Sequence, residues 1–127
     1  MIYGNGIDIA KVARFEKWIK DKKMISRFFN PEECIVSEGK NINRVCEHYA
    51  ARFAAKEAFV KALGTGFTGV ELKRFWVSKD ENGKPYMKLD DKMSDFVKKR
   101  VGNNFNIHLS LSHEAEYAVA SVIIESL

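Results

Sequence analysis

The sequence predicts a domain that mixes helices and strands, and three observations support this prediction. Residues 42–63 are rich in alanine and carry apolar residues at helical spacing, which indicates one long helix. An Asn-Gly pair at 82–83 lies between two runs of strand-forming residues, a common sign of a β-hairpin. Apolar stretches at 107–111 and 117–124 have the patterns of β-strands. The length of 127 residues favours a single domain, 1–127, with a core of its own.

The first third of the chain is expected to form one strand and two helices. Ile2–Ile9 is rich in strand formers, although Gly4 and Gly6 weaken the pattern. Residues 11–18 are expected to be helical, because apolar residues recur there at helical spacing: Val12, Phe15, Trp18 and Ile19. A second, short helix is expected over 30–38. It would begin at Asn30-Pro31-Glu32-Glu33, where asparagine is a good N-cap and proline suits the first turn.

The middle of the chain is expected to form the long helix, the hairpin and one further helix. The long helix runs from about Ile42 to Leu63 and is stopped by Gly64. Val70–Lys79 and Pro85–Leu89 are expected to be the strands of the hairpin. Asp90 can cap a helix with these apolar positions: Met93, Phe96, Val97 and Val101.

The last two predicted strands differ in pattern. Ile107, Leu109 and Leu111 alternate with polar residues, which is typical of a strand with one buried face. Tyr117–Ile124 is apolar almost throughout, which predicts burial on both faces. One of these faces is therefore expected to meet a neighbouring subunit.

Positive charge is concentrated near the N-terminus. The net charge is +4, whereas Lys11–Arg27 alone contains seven basic and two acidic residues. Such a patch is either an ordinary solvated helix face or a docking surface for an acidic partner. Nucleic acid and acidic protein are both candidates on charge alone, but the sequence has no nucleic-acid-reading motif.

The sequence also indicates a cytoplasmic protein that is not inserted in a membrane. No apolar run approaches the ~20 residues needed to span a bilayer, and the N-terminus lacks the layout of a signal peptide. Cys34 and Cys46 fit neither a zinc pattern nor a disulfide framework, which predicts two reduced thiols.

The long helix carries charged residues among its alanines: Arg52, Lys56, Glu57 and Lys61. Buried charges are costly unless they are paired or bind a ligand. Glu57 and Lys61 are four residues apart and share a face. They form either a helix salt bridge or, because the alanines leave room beside the carboxylate, part of a ligand site.

A second carboxylate, Asp8, lies within the apolar first strand. It either caps the helix over 11–18 or faces a polar site. Mg²⁺ takes one or two carboxylates and fills its shell with water and phosphate oxygens. Asp8 and Glu57, with lysines nearby, therefore suit a magnesium–phosphate site.

Two weaker signals lie at the ends of elements. Ser112 and His113 stand at a strand end, where they are either surface residues or contacts to phosphate or ribose. They do not form a hydrolase triad, because no nucleophile elbow is present. Gly64-Thr65-Gly66 is a glycine-rich helix exit without the spacing of a P-loop.

Several segments together resemble the signature motifs of the 4′-phosphopantetheinyl transferases. The first is Gly6-Ile7-Asp8-Ile9, and the second is the run RFAAKEAFVKALGTG from Arg52 to Gly66. Asn82-Gly83-Lys84-Pro85 and Leu109–His113 also match, in the right order, so the resemblance spans nearly the whole chain. The short length indicates the small branch of the family, which acts on acyl carrier proteins.

The resemblance implies an α+β fold in which an antiparallel sheet packs on a long central helix. It implies transfer of phosphopantetheine from coenzyme A to a serine of acyl carrier protein, with release of adenosine 3′,5′-bisphosphate. The family's magnesium carboxylates map onto Asp8 and Glu57, and Glu57 and Lys61 are expected to act in catalysis. These residues are expected to bind coenzyme A: Arg52, Lys61, Gly64, Thr65, Lys84, Pro85, Ser112 and His113.

This chain departs from larger relatives at Ala10, where they carry an additional acid. The metal is therefore expected to have two protein carboxylates, with water and pyrophosphate completing its shell. The base that takes the serine proton stays open between Glu57, a water on the metal and a carboxylate of the partner. The small branch of the family forms trimers with sites between subunits, and the apolar strand over 117–124 fits such an interface.

The basic patch is expected to bind the acidic carrier protein through Arg14, Lys17 and Lys20, on the face opposite the apolar residues of their helix. The alternative function is a non-catalytic module that binds RNA or an acidic protein. That alternative explains the patch but not the carboxylates inside apolar elements.

Overall fold

A three-stranded antiparallel sheet, with strand order β1-β5-β4, packs on the long helix α3 in a computed structural model that describes all 127 residues. A separate antiparallel pair, β2-β3, follows the hairpin prediction. The elements in chain order are β1 Ile2–Lys11, α1 Phe15–Ile19, α2 Lys22–Phe28, α3 Ile42–Leu63, β2 Phe75–Lys79, β3 Pro85–Leu89, α4 Asp91–Val101, β4 Phe105–His113 and β5 Tyr117–Ser126. The α+β prediction is confirmed.

Strand β1 lies unusually close to α3 because two glycines face the helix. A Cβ atom on Gly4 would lie 2.1 Å from the carbonyl oxygen of Ala62, and one on Gly6 would lie 2.0 Å from that of Ala58. No side chain fits at either position. The glycines that weaken the strand pattern in the sequence are therefore what allows the strand to rest on the helix backbone.

Helix α3 begins and ends where the sequence predicts. The Asn41 side chain accepts hydrogen bonds from the backbone N–H groups of Asn43 and Arg44, and Gly64 ends the helix with φ of 76°. Alanines line much of its buried surface. At the middle of the helix, Phe53 packs against aromatic residues of α1 and α2: Phe15, Trp18 and Phe28. The helix is thus enclosed on several sides, as the alanine content indicates.

Two predicted elements are wrong in extent. The helix expected over 30–38 is a single 3₁₀ turn, Pro31–Glu33, because the capping box between Asn30 and Glu33 fixes only one turn. The strand expected from Val70 starts at Phe75, after a 3₁₀ turn at Leu72–Arg74. Helix α2 was not predicted, although Asp21 caps it by accepting hydrogen bonds from two backbone N–H groups.

The outer face of the sheet, formed by Ile7, Ile9, Val119 and Ile123, is open in the single chain. Alternate residues of β5 are buried against α3, whereas the opposite side of the sheet leaves Ile7 and Ile9 more than 60% exposed (64% and 61%). Burial of β5 on both faces is therefore wrong for the single chain. None of the helices combines the length and apolar character that a membrane crossing requires.

Candidate active site

Two carboxylates meet between β1 and α3. Asp8 follows Gly6 on the face of β1 that contacts the helix, and its side chain is 12% exposed. Glu57 projects from α3 and lies close enough to Asp8 for the Asp8 charge to act on it. The close approach at Gly6 is what brings a strand carboxylate within reach of a helix carboxylate.

Lys61 joins this pair from the next turn of α3. Its Nζ donates to Asp8 Oδ1 at 3.0 Å and to the carbonyl oxygen of Ile7 at 3.1 Å. The lysine therefore reaches across to β1, and the salt bridge with Glu57 along the helix is not formed. Asp8 also does not cap the helical segment after β1, because the 3₁₀ turn there has no side-chain cap.

Burial and the neighbouring charge of Asp8 raise the pKa of Glu57 to about 7, while Arg14 and Lys61 partly oppose the shift. Burial disfavours the charged form of Glu57, and the negative charge of Asp8 beside it adds to this effect. A divalent cation between them would remove this repulsion. The pair therefore fits a magnesium ion, which prefers such oxygen ligands.

No third protein ligand stands ready for that ion. The chain nowhere gathers three or more His, Cys, Asp or Glu side chains in a metal-binding group. Ala10, which follows Asp8 on the same face of β1, is buried and offers no side-chain donor. A site with two carboxylates and an otherwise open shell matches the habit of Mg²⁺ when it binds phosphate substrates.

A cavity of about 620 Å³ opens beside Glu57. Its walls are largely apolar and aromatic, with charged residues at the rim. The lining consists of Arg14, Trp18, Met24, Arg27, Phe28, Phe53, Glu57, Phe67, Val70, Glu71, Leu72 and Lys73. The Arg14 guanidinium lies 5.1 Å from the centre of the Phe53 ring and 5.3 Å from that of Trp18, which holds a positive charge near Glu57.

A smaller pocket of about 220 Å³ lies on the other side of α3 and brings together three of the residues assigned to coenzyme A: Arg52, Pro85 and His113. Arg52 donates to the carbonyl oxygen of His48 at 3.2 Å, while its Nε is buried without a partner. An unpaired guanidinium donor at a pocket wall is suited to an anionic group of a ligand.

Other residues of this small pocket were missed by sequence reasoning. Glu47 Oε2 lies 3.1 Å from His113 Nδ1, and Lys79 adds a positive charge. Burial and the charge of Arg52 lower the pKa of His48 to about 4, so its neutral ring donates to the Glu33 carbonyl oxygen at 2.6 Å. The one signal for His48 in the sequence is its position four residues before Arg52, which places both residues on the same face of α3.

Besides Lys61, four of the residues assigned to coenzyme A lie outside both pockets. Ser112 is exposed on the outer sheet face opposite Val119, and it points away from His113. Gly64 and Thr65 follow the end of α3, just beyond Lys61. Lys84 is exposed in the hairpin turn beside Pro85. Their roles in binding coenzyme A stay predictions.

The basic patch lies where the sequence places it. Arg14, Lys17 and Lys20 are all exposed, while Phe15 and Trp18 between them are buried. Because Arg14 also lines the large cavity, the patch begins at the rim of the cavity that contains Glu57.

Comparison with known proteins identifies the family. A sequence model of the 4′-phosphopantetheinyl transferase superfamily matches residues 4–122. The chain belongs to this superfamily. It is 49% identical to the holo-[acyl-carrier-protein] synthase of Treponema denticola over 98% of this chain and 99% of the relative. The corresponding values for the synthase of Geobacter sp. strain M21 are 43%, 98% and 99%.

Solved structures of the superfamily have the same fold. The holo-(acyl-carrier-protein) synthase of Bacillus anthracis, in complex with CoA (3′,5′-ADP), matches with a TM-score of 0.79 and 38% identity over 100% of this chain and 99% of that one. The synthase of Neisseria meningitidis matches with a TM-score of 0.80 and 33% identity over 98% and 99%. The resemblance drawn from the motifs is confirmed, and both signature motifs fall within the matched residues.

Proposed function

We propose that this chain transfers the 4′-phosphopantetheine group from coenzyme A to a serine of apo acyl carrier protein and releases adenosine 3′,5′-bisphosphate. The observation that carries the proposal is the Asp8–Glu57 pair, held against Lys61 beside the large cavity. Full-length similarity to holo-[acyl-carrier-protein] synthases supports the same reaction. Two solved relatives, from Bacillus anthracis and Helicobacter pylori, are complexes with coenzyme A.

Asp8 and Glu57 would hold the magnesium ion. The bound ion would neutralise negative charge on the pyrophosphate of coenzyme A. Lys61 is exposed enough to turn from Asp8 toward a phosphate, where its ammonium group would stabilise the departing charge. Arg52 and His113 line the small pocket, and we assign it to the nucleotide end of coenzyme A, whose phosphate would satisfy the buried Arg52 Nε.

In the reaction, the serine oxygen of the carrier forms a bond to the β-phosphorus of coenzyme A. The bond from that phosphorus to the bridging oxygen breaks, and adenosine 3′,5′-bisphosphate leaves with the electron pair. Positioning and charge neutralisation dominate such phosphoryl transfers. We assign the serine proton to Glu57, because its carboxylate borders the large cavity in which the reacting groups would meet.

The carrier protein would dock on the basic patch. Acyl carrier proteins are acidic. Exposed positive charges are offered beside the cavity by Arg14, Lys17 and Lys20. Attraction of this kind acts mainly on the rate of association. A non-catalytic binding module would account for the patch, but it would leave the carboxylate pair unexplained.

We further propose a homotrimer in the cytoplasm with its sites between subunits. The outer sheet face exposes large apolar side chains, including Ile7 and Ile9, that a monomer would leave in water. Ser112 lies on this face, so in an assembly it can contribute to a neighbour's site. Coenzyme A and the carriers of fatty acid synthesis are cytoplasmic, which supports the location.

Mass spectrometry of apo acyl carrier protein tests the function. Incubation with this chain, coenzyme A and magnesium should add one phosphopantetheine group to the carrier. A carrier whose acceptor serine is replaced by alanine should stay unmodified and serves as the matched control. An unmodified wild-type carrier, with a known synthase active in the same buffer, would overturn the proposal.

A further inference from the structure

A buried ion pair lies directly behind the carboxylate site and takes no part in the proposed chemistry. Lys56 Nζ is 2.7 Å from Glu33 Oε1, and both side chains are completely buried (0% exposed). Lys56 is the neighbour of Glu57 on α3, but its side chain is buried in the core and contacts neither Asp8 nor Glu57. Two charges in this position are costly unless their remaining polar atoms are also satisfied.

All three N–H donors of Lys56 have partners, and two of these partners are backbone carbonyl oxygens at or just before the start of β2. The Lys56 ammonium group has three N–H donors. One faces Glu33, a second donates to the carbonyl oxygen of Leu72 at 2.7 Å, and a third donates to that of Phe75. Helix α3 is thereby tied to two backbone positions outside it.

The glutamate extends the same connection. Its two oxygens accept hydrogen bonds from the backbone N–H groups of Asn30 and Val77, each at 3.1 Å. The Asn30 side chain in turn donates to the carbonyl oxygen of Lys73 at 3.0 Å. Asn30, Glu33 and Lys56, which we call the wall anchor, therefore hold the backbone at Leu72 and Lys73 and, within β2, at Phe75 and Val77.

The segment held in this way is one wall of the large cavity. Phe67–Lys73 faces the cavity through five of its residues, across from the aromatic side chains of α1 and α2. The segment belongs to no strand, and its own hydrogen bonds are local turn contacts such as Val70 N–H to Phe67 carbonyl, at 3.2 Å. The wall anchor fixes the end of this segment, at Leu72 and Lys73, relative to α3.

We infer that Asn30, Glu33 and Lys56 are positioning residues that fix the wall Phe67–Lys73 relative to Glu57, so that the groups reacting beside Glu57 are held in register. The inference rests on the proposed function, because it assigns the large cavity to the reacting end of the substrates. The wall anchor touches no substrate itself. Its loss should lower the rate of transfer much more than it weakens binding at the small pocket, because the Glu33 carbonyl oxygen that contacts His48 belongs to the backbone and is kept.

The decisive variant is the double replacement Lys56→Met with Glu33→Gln. It removes both charges together, so neither remains buried and unpaired, and it also removes the bonds to the Leu72 and Phe75 carbonyl oxygens. Ile124→Ala is the control, because Ile124 is also fully buried. It lies near the end of β5, whereas Asp8 pairs with Ala120 in the middle of that strand. Both variants should melt at lower temperature and are assayed where each is fully folded.

For the double variant we expect kcat to fall by about 10- to 100-fold, the effect of a small misplacement of reacting groups. The Kd for adenosine 3′,5′-bisphosphate, which we assign to the small pocket, should stay close to the wild-type value, because the double replacement removes one charge of each sign near Arg52. Ile124→Ala should keep the wild-type kcat. A double variant that is folded and keeps wild-type kcat and KM values would show that the pair serves stability alone.

Asn30→Ser keeps the test valid even where the double variant does not fold. Serine still caps the turn at Pro31–Glu33 but is too short to reach the Lys73 carbonyl oxygen. We expect a smaller fall in kcat, again with unchanged binding of adenosine 3′,5′-bisphosphate. Wild-type kcat in Asn30→Ser would overturn the inference. Failure of the wild-type chain to modify the carrier would instead overturn the proposed function.

Discussion

At the scale of single residues, the site depends on an unfavourable interaction between two neighbouring carboxylates. Asp8 and Glu57 lie side by side, and the pKa of Glu57 rises to about 7 from burial and from the charge of Asp8. Lys61 relieves only part of this repulsion, through Asp8. A carboxylate pair in this state gains from binding a divalent cation, and loses a proton when it does so.

The first prediction concerns pH. The folded metal-free protein keeps a proton on Glu57 up to about pH 7, whereas an unfolded chain releases it near 4.5. The folded state thus holds more protons between these values, so the free energy of unfolding should fall as pH rises through this window. Denaturant unfolding at pH 5 and pH 8 measures this, and Glu57→Gln should reduce the difference. An equal pH dependence in both proteins would contradict the shift.

Magnesium should reverse that trend. Because the ion requires ionised carboxylates, its stabilising effect should be larger at pH 8 than at pH 5. Thermal melts with and without magnesium at the two pH values give the comparison. The Asp8→Asn variant should show little stabilisation at either pH. Equal stabilisation of Asp8→Asn and wild type would place the metal elsewhere.

Docking can be tested at Lys17. Arg14 is a poor choice, because it lines the cavity and its charge acts on Glu57. Lys17→Glu should raise the KM for carrier protein, leave the KM for coenzyme A unchanged, and lose its effect in high salt. Lys88→Glu makes the same charge change at an exposed site on β3 and should have no such effect. Equal KM changes for both substrates would argue against docking at Lys17.

At the scale of elements, the packing of β1 on α3 determines the site. Gly6→Ala would place a Cβ 2.0 Å from the Ala58 carbonyl oxygen, so the strand must move away from the helix. We expect a loss of about 1–3 kcal/mol of stability, as for other overpacked sites, and a larger loss of activity as Asp8 leaves Glu57. Chemical denaturation and a transfer assay measure the two effects. Asn103→Ala, exposed in the loop between α4 and β4, is the control; if Gly6→Ala retains wild-type activity, the close approach is not needed.

Signals at both ends predict the long helix well but do not suffice for a short one. Helix α3 has Asn41 before it and Gly64 after it, and its bounds are as predicted. The helix expected over 30–38 also had a start signal at Asn30 and an end signal at Glu38-Gly39-Lys40-Asn41, but its capping box was satisfied by one turn. The partner of Lys61 was also beyond sequence reasoning, because Asp8 lies 53 residues away and the register of β1 on the helix decides the contact.

The candidate site was predictable to the same degree. Asp8 and Glu57 stood out as charges within apolar elements, and the structure brings them together. The sequence did not reveal the unpaired Nε of Arg52 or the buried partner of Lys56. Each depends on how the hairpin and the turn at Pro31–Glu33 pack around α3. Spacing along a helix identifies a shared face but not what covers it.

At the scale of the whole molecule, the open sheet face is the feature that a single chain leaves unexplained. Ile9→Glu would place a charge in the middle of this face, where Ile9 is 61% exposed. We expect sedimentation to show the trimer replaced by monomer, with activity lost. Val36→Glu changes an equally exposed apolar residue away from the sheet and should leave the trimer intact. A wild-type chain that is monomeric and active would contradict the proposed assembly.

The central claim is that Asp8 and Glu57 together make the transfer dependent on magnesium. The most direct measurement is release of adenosine 3′,5′-bisphosphate from coenzyme A and apo carrier, over a magnesium titration, for wild type, Asp8→Asn and Glu57→Gln. We predict magnesium-dependent release by wild type and none by either folded variant at any magnesium concentration. Release by either variant at the wild-type rate and with the wild-type magnesium dependence would contradict the account.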